Sequence, residues 1–113
     1  MINILNYKRE PNGKASGESV MRGDSPLANP YRVKPWGEYE RGETLPLYKE
    51  WLEYNYLNDP IVYNEVHRLY DKWRKESSLS LVCCCWPLAC HTEILRDFIY
   101  KLALLDTLLE GEK

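Results

Sequence analysis

A chain of 113 residues, 44% hydrophobic and 28% charged, has the size and balance of one globular domain that can bury a core without metal or disulfide help. Its net charge of −2, with basic residues dispersed among acids, argues against a nucleic-acid polymer as partner, and no apolar run is long enough to span a bilayer. The opening Met1–Lys8 lacks the flank and cleavage pattern of a signal peptide, and cysteines crowded between Cys83 and Cys90 close no useful loops, so a cytoplasmic protein with reduced thiols is expected.

Ile2 to Tyr7 reads as a short strand, residues 8–18 as a loop of turn formers, and Ser19 to Arg22 as a second short strand. From 23 to 43 the chain carries Pro26, Pro30, Pro35, Gly37 and Gly42, which exclude a long helix. An ordered loop of that length is often functional. A first helix is expected from a Thr44 cap to Leu57, with Pro46 in its opening turn and Leu47, Tyr48, Trp51, Leu52 and Tyr54 at helical spacing. Asp59-Pro60 reads as the cap and first residue of a second helix, whose stripe is Val62, Val66, Leu69, Tyr70 and Trp73. His67, flanked by polar residues, is expected at the surface. Leu79 to Cys85 reads as a central strand buried on both faces. A third helix runs from Thr92 to Leu109 with Ile94, Leu95, Phe98, Ile99, Leu102, Leu105 and Leu108 on its core face, and 110–113 should fray. The order β-β-loop-α-α-β-α predicts one small α/β domain over 1–113, of two or three layers.

In an open α/β sheet, ligands bind beyond the carboxyl ends of the strands, which directs attention to Cys83–His91. Three readings compete there. Cys83, Cys85, Cys90 and His91 offer four zinc ligands, but without the second arm usual in structural sites. Cys90 beside His91 at a helix start has the makings of an activated thiolate, with Glu93 as a proton-transfer partner. Cys83 to Cys85 also suit plain core, while Cys90 and His91, flanking the open amides of a helix start, read as a pocket wall. The second constellation is the loop Arg22 to Tyr31. Arg22 can fork a phosphate or carboxylate, with Ser25 and Asn29 donating and accepting; alternatively Ser25 and Asn29 satisfy the loop's own amides. Its Arg-Gly-Asp-Ser match to a cell-adhesion motif has no extracellular context and is set aside. Trp36, Tyr39 and Trp86 suit stacking on a base or packing in a core or interface.

Taken together, Arg22-x-x-Ser25-x-Leu27-Ala28-Asn29-Pro30-Tyr31, Tyr48 with Trp51-Leu52, and Leu81-Val82-Cys83-x-Cys85-x-Pro87-x-x-Cys90-His91 resemble a small uncharacterised domain family of bacteria and phages. Its hallmarks are an R-x-x-S-x-x-G-N-P-F/Y box and a C-x-C-x-P-x-x-C-H box, and the likeness spans Val20 to Leu104. Ala28 stands in place of the family's glycine, and Thr92-Glu93 in place of Gly-Asp. The resemblance implies a compact Rossmann-like α/β fold, with a short, mostly parallel sheet packed by three helices, and frequent phage origin. It implies no established activity.

The functional expectation is one pocket, with Arg22, Ser25, Asn29 and Tyr31 on one wall and Trp86, Cys90 and His91 on the other, binding a nucleotide or ADP-ribose-like anion without a cofactor. In a phage, such a binder would sequester a nucleotide signal of host defence. The alternatives are a nucleotide-processing hydrolase or glycosidase using Cys90, His91 and Glu93, and a zinc-stabilised interaction module. A homodimer or larger homo-oligomer is compatible with each.

Overall fold

In a computed structural model the described residues are 1–32, 34–35, 37–84 and 90–111. Three strands, β1 (Ile2–Asn6), β2 (Glu18–Ser19) and β3 (Leu79–Cys83), form a sheet in the order β1-β3-β2. Both pairings are parallel: Ile2 lies opposite Leu79 and Asn6 opposite Cys83, while Ser19 lies opposite Val82. The central strand is the apolar one, as a position with neighbours on both sides requires. Leu79, Leu81, Val82 and Cys83 are all buried. Parallel pairing with this register brings the carboxyl ends of all three strands to one edge of the sheet.

Three helices, α1 (Thr44–Asn58), α2 (Pro60–Glu76) and α3 (His91–Gly111), complete a small Rossmann-like α/β fold. Their core residues Tyr48, Leu52, Val66, Leu69, Leu95 and Ile99 pack on Ile2, Leu79 and Leu81 of the sheet. Full burial of each large apolar side chain stabilises the fold by about 1.5–3 kcal/mol. The connection from β1 to β2 holds two 3-10 turns, Tyr7–Arg9 and Gly13–Ser16, and then passes close over β3. A Cβ at Gly17 would stand 2.4 Å from the Ser80 carbonyl oxygen, so only glycine fits there.

Local signals account for most helix boundaries. Asp59 accepts a hydrogen bond from the Ile61 amide at 2.9 Å and Pro60 opens α2. Ser77, in the left-handed region at φ 62°, ends α2 with its amide on the Trp73 carbonyl oxygen at 2.8 Å. Thr44 is not the cap of α1; it is buried inside the helix, and a reciprocal Glu40/Glu43 capping box closes the 3-10 turn Arg41–Glu43 just before it.

Other expectations need correction. β2 begins at Glu18 and holds only Ser19 of the strand expected over Ser19–Arg22. β3 stops at Cys83, and Cys84 beyond it is exposed rather than core. His67 is half-buried, not a free surface residue, because Tyr56 and Tyr63 pack on its ring and the Tyr56 hydroxyl lies 2.7 Å from its Nε2. The largest departure is in α3, where Leu105 and Leu108 are 49% and 58% exposed instead of core. Periodicity places them on an apolar stripe, but the last turns of the helix run past the surface that would cover it. Helix α3 continues to Gly111, so the expected fray over 110–113 is helical as far as it is described, and residues 112–113 lie outside the described residues. Among the described residues, no helix is long and apolar enough to cross a membrane.

Candidate functional site at the carboxyl edge of the sheet

Beyond β2 the chain enters the loop of the first motif and folds it mainly upon itself. Gly23, at φ 87°, allows a tight turn in which the Asp24 and Ser25 amides both reach the Met21 carbonyl oxygen. The Ser25 hydroxyl accepts from the Leu27 amide at 3.0 Å, and the Asn29 side-chain oxygen accepts from the Tyr31 amide at 2.9 Å. These are the self-satisfying turn contacts of such residues. Asn29 also donates to the Thr44 hydroxyl at 3.2 Å, tying the loop to α1. Ala28 adopts no left-handed conformation; among the described non-glycine residues only Ser77 does, so the missing glycine introduces no strain.

Two buried polar contacts then fasten the loop to the helices. The Tyr48 hydroxyl donates to the Leu27 carbonyl oxygen at 2.7 Å, and the His91 Nε2 lies 2.9 Å from the Val20 carbonyl oxygen. A carbonyl oxygen only accepts, so Nε2 carries the proton. The His91 ring packs edge-on against Tyr48 with centroids 5.0 Å apart. Burial pushes the Tyr48 phenol well above its usual range, with the neighbouring Cys90 adding to the effect, so the phenol is a neutral donor throughout ordinary pH. Tyr48, Leu27 and Val20 are essentially inaccessible to water, which makes each of these bonds costly to break.

The second box is thus bonded to Val20, two residues before the first box and itself held to the Val82 carbonyl oxygen of β3, while Leu27 of the first box is bonded to α1 through Tyr48. Cys90 and His91 are buried, at 5% and 9% exposure. Cys90 Sγ lies 3.8 Å from Cys83 Sγ, and the Cys90 amide donates to the Glu93 carboxylate at 3.3 Å. That carboxylate partly caps the start of α3. Thr92, in the first turn, is fully buried; among the described residues its Oγ1 is the buried side-chain oxygen without a hydrogen-bond partner. Arg22 is exposed, and one guanidinium nitrogen donates to the Asn29 carbonyl oxygen at 3.0 Å. Tyr31 is half-buried against the edge of Tyr39. Trp36, Cys85 and Trp86 lie outside the described residues. Among the described residues, no three of His, Cys, Asp or Glu gather as metal ligands.

Sequence reasoning missed Tyr48, Thr92 and Val20 as parts of this site. Tyr48 reads as an apolar position of a helix and as one residue of the family resemblance, neither of which shows its hydroxyl's role, and a backbone carbonyl acceptor leaves no trace in sequence. Asp24 of the adhesion-like tetrapeptide is also a local partner, paired with Lys14 at 2.9 Å and accepting from the Ser19 hydroxyl at 2.6 Å.

The fold and this edge define a small parallel α/β domain in which a self-bonded polar loop is latched to the start of its last helix. At the level of family, the chain belongs to the domain of unknown function DUF4326, whose sequence pattern covers residues 5–101. Neither a curated protein nor a solved structure matches it significantly.

Proposed function

We propose that the chain binds a small anionic ligand of the nucleotide or ADP-ribose class at the carboxyl edge of its sheet. The observation that carries this reading is the Val20–His91 bond, which ties the residue two positions before the exposed Arg22 to a helix start that holds the unpartnered Thr92 hydroxyl. A guanidinium and the N-terminus of a 21-residue helix both favour an anion. The Glu93 carboxylate on the Cys90 amide sits where such an anion would approach, so binding requires it to swing aside or a counter-cation to accompany the ligand. The reading extends to an intracellular protein of a bacterium or phage that sequesters a nucleotide signal.

An enzymatic role for His91 as a base through Nε2 would have to give up the bond to Val20, which favours binding over turnover. One observation favours a second reading. Two sulfurs on one tetrahedral zinc, at about 2.3 Å each, stand about 3.8 Å apart, and the Cys83–Cys90 separation is 3.8 Å. His91 as a third ligand through Nε2 would have to leave Val20.

A thermal-shift panel of nucleoside mono-, di- and cyclic phosphates and ADP-ribose tests the proposal. Binding at a hundredfold excess over Kd stabilises a fold by about 2.7 kcal/mol, a readily measured rise in Tm. At least one nucleotide should produce it in the wild-type chain and fail to do so in R22A. No shift from any of them would refute nucleotide binding. Zinc measured in the purified protein, and loss of Tm in chelator, would support the second reading instead.

A further inference from the structure

Four of the exposed large hydrophobic residues, Leu104, Leu105, Leu108 and Leu109, lie in the last turns of α3. Helical spacing of four and three carries one stripe through Ile94, Phe98, Lys101, Leu105 and Leu108. The first half of the stripe is a groove of about 180 Å³ between α3 and α1, walled by Ile94, Phe98 and Lys101 on one side and Leu52 and Glu53 on the other. Its second half is a ridge of leucines, each about half exposed or more.

We propose that this face joins two copies of the chain, with α3 antiparallel to α3 of the second copy about a two-fold axis at Lys101. Antiparallel pairing about that position sets residue 108 of one copy opposite 94 of the other, and 104 opposite 98. Leu104 and Leu108 of each copy then meet the groove of the other, while Leu105 and Leu109 fall opposite Asp97 and Glu93, and the contact is the same in both directions, as an isologous interface requires. Charge agrees with it. The axis brings two Lys101 ammonium groups together, and an Asp97 carboxylate from each copy, which also holds Arg96 at 3.2 Å, stands one helical turn away to offset them. The leucines and the groove rim offer an apolar patch on the order of 500 Å². With the stems of the flanking charged residues, that approaches the roughly 800 Å² per partner buried in a stable dimer. A membrane surface fits less well, because α3 carries no basic residue in its last turn and the exposed Asp97 accompanies the stripe.

The test is the oligomeric state of the full chain, by sedimentation across a range of concentrations. The wild type should be a concentration-dependent dimer. L105E/L108E, at positions exposed in the monomer, should keep the circular dichroism and Tm of a folded chain while its dimer Kd rises more than about 100-fold. D97K should weaken the dimer and D97K/K101D should restore it, as only a specific interface allows. A wild type that stays monomeric at every concentration overturns the proposal. So does a dimer indifferent to L105E/L108E, or a folded monomer whose α3 binds lipid vesicles.

Discussion

Two polar assemblies in this molecule link segments far apart in sequence, and they do so in opposite environments. At the carboxyl edge, His91 and Tyr48 reach the Val20 and Leu27 carbonyls inside the core. Beside β2, Glu18 accepts from Arg68 at 3.1 Å and from Lys72 at 3.0 Å, with Glu65 also on Arg68, all on the outside of α2. The second has more charge and more bonds. The first should matter more, because a carbonyl stripped of its partner in the core has no water to replace it, whereas the half-buried Glu18 and Glu65 pair with exposed Arg68 and half-buried Lys72 at the edge of the solvent, which can take over part of the interaction. Charge count is a poor guide to which contacts hold a fold together.

That contrast can be broken, in order of expected effect. H91A leaves the Val20 carbonyl unpaired and opens space beside Tyr48, and should destabilise by about 3 kcal/mol. Thermal denaturation would read this as a loss of roughly 10 °C or more in Tm. Y48F removes only the hydroxyl on the Leu27 carbonyl and should cost about 1.5 kcal/mol by urea unfolding.

E18Q, despite the richer network, should cost less than about 1 kcal/mol at neutral pH, and less still in high salt. Its mark is in the pH profile. Hydrogen bonds from Arg68 hold the Glu18 carboxyl down at about 2, assisted by Lys72 and opposed by partial burial. A carboxyl lowered in the folded state stabilises above its usual range and loses that contribution as pH falls through that range towards 2. Wild type should therefore lose more stability than E18Q between neutral pH and pH 2, and parallel curves would show that the network contributes nothing. Smallest of all, T92V replaces a hydroxyl that has no partner, so stability should hold or rise slightly. A marked destabilisation by T92V would show that this hydroxyl is satisfied in solution.

The elements were legible wherever a local rule governs them. Asp59-Pro60 announces α2 because a cap and an N1 proline act within one turn, and Leu79 to Cys83 reads as a central strand because a strand flanked on both sides is apolar throughout. The candidate site was legible only as two boxes of residues. Cys90 and His91 do flank the start of α3 as expected, but their burial follows from Val20 and Cys83, whose distance in sequence no periodicity records. Arg22, Ser25 and Asn29 are where the motif places them, yet Ser25 and Asn29 serve the loop's own amides. The exposed Leu105 and Leu108 show the same limit from the apolar side: a stripe tells which face is apolar, not whether the chain itself supplies a cover.

The central claim is that the latched edge holds an anionic nucleotide through Arg22. Native mass spectrometry of the freshly purified chain, with and without an added nucleotide taken from the thermal-shift panel, tests it most directly. The account predicts a one-to-one adduct of nucleotide mass on the wild-type chain, unchanged in mass after long incubation, and its loss in R22A at equal Tm. An adduct that R22A keeps, or a wild-type chain that carries no nucleotide under any of these conditions, would contradict it.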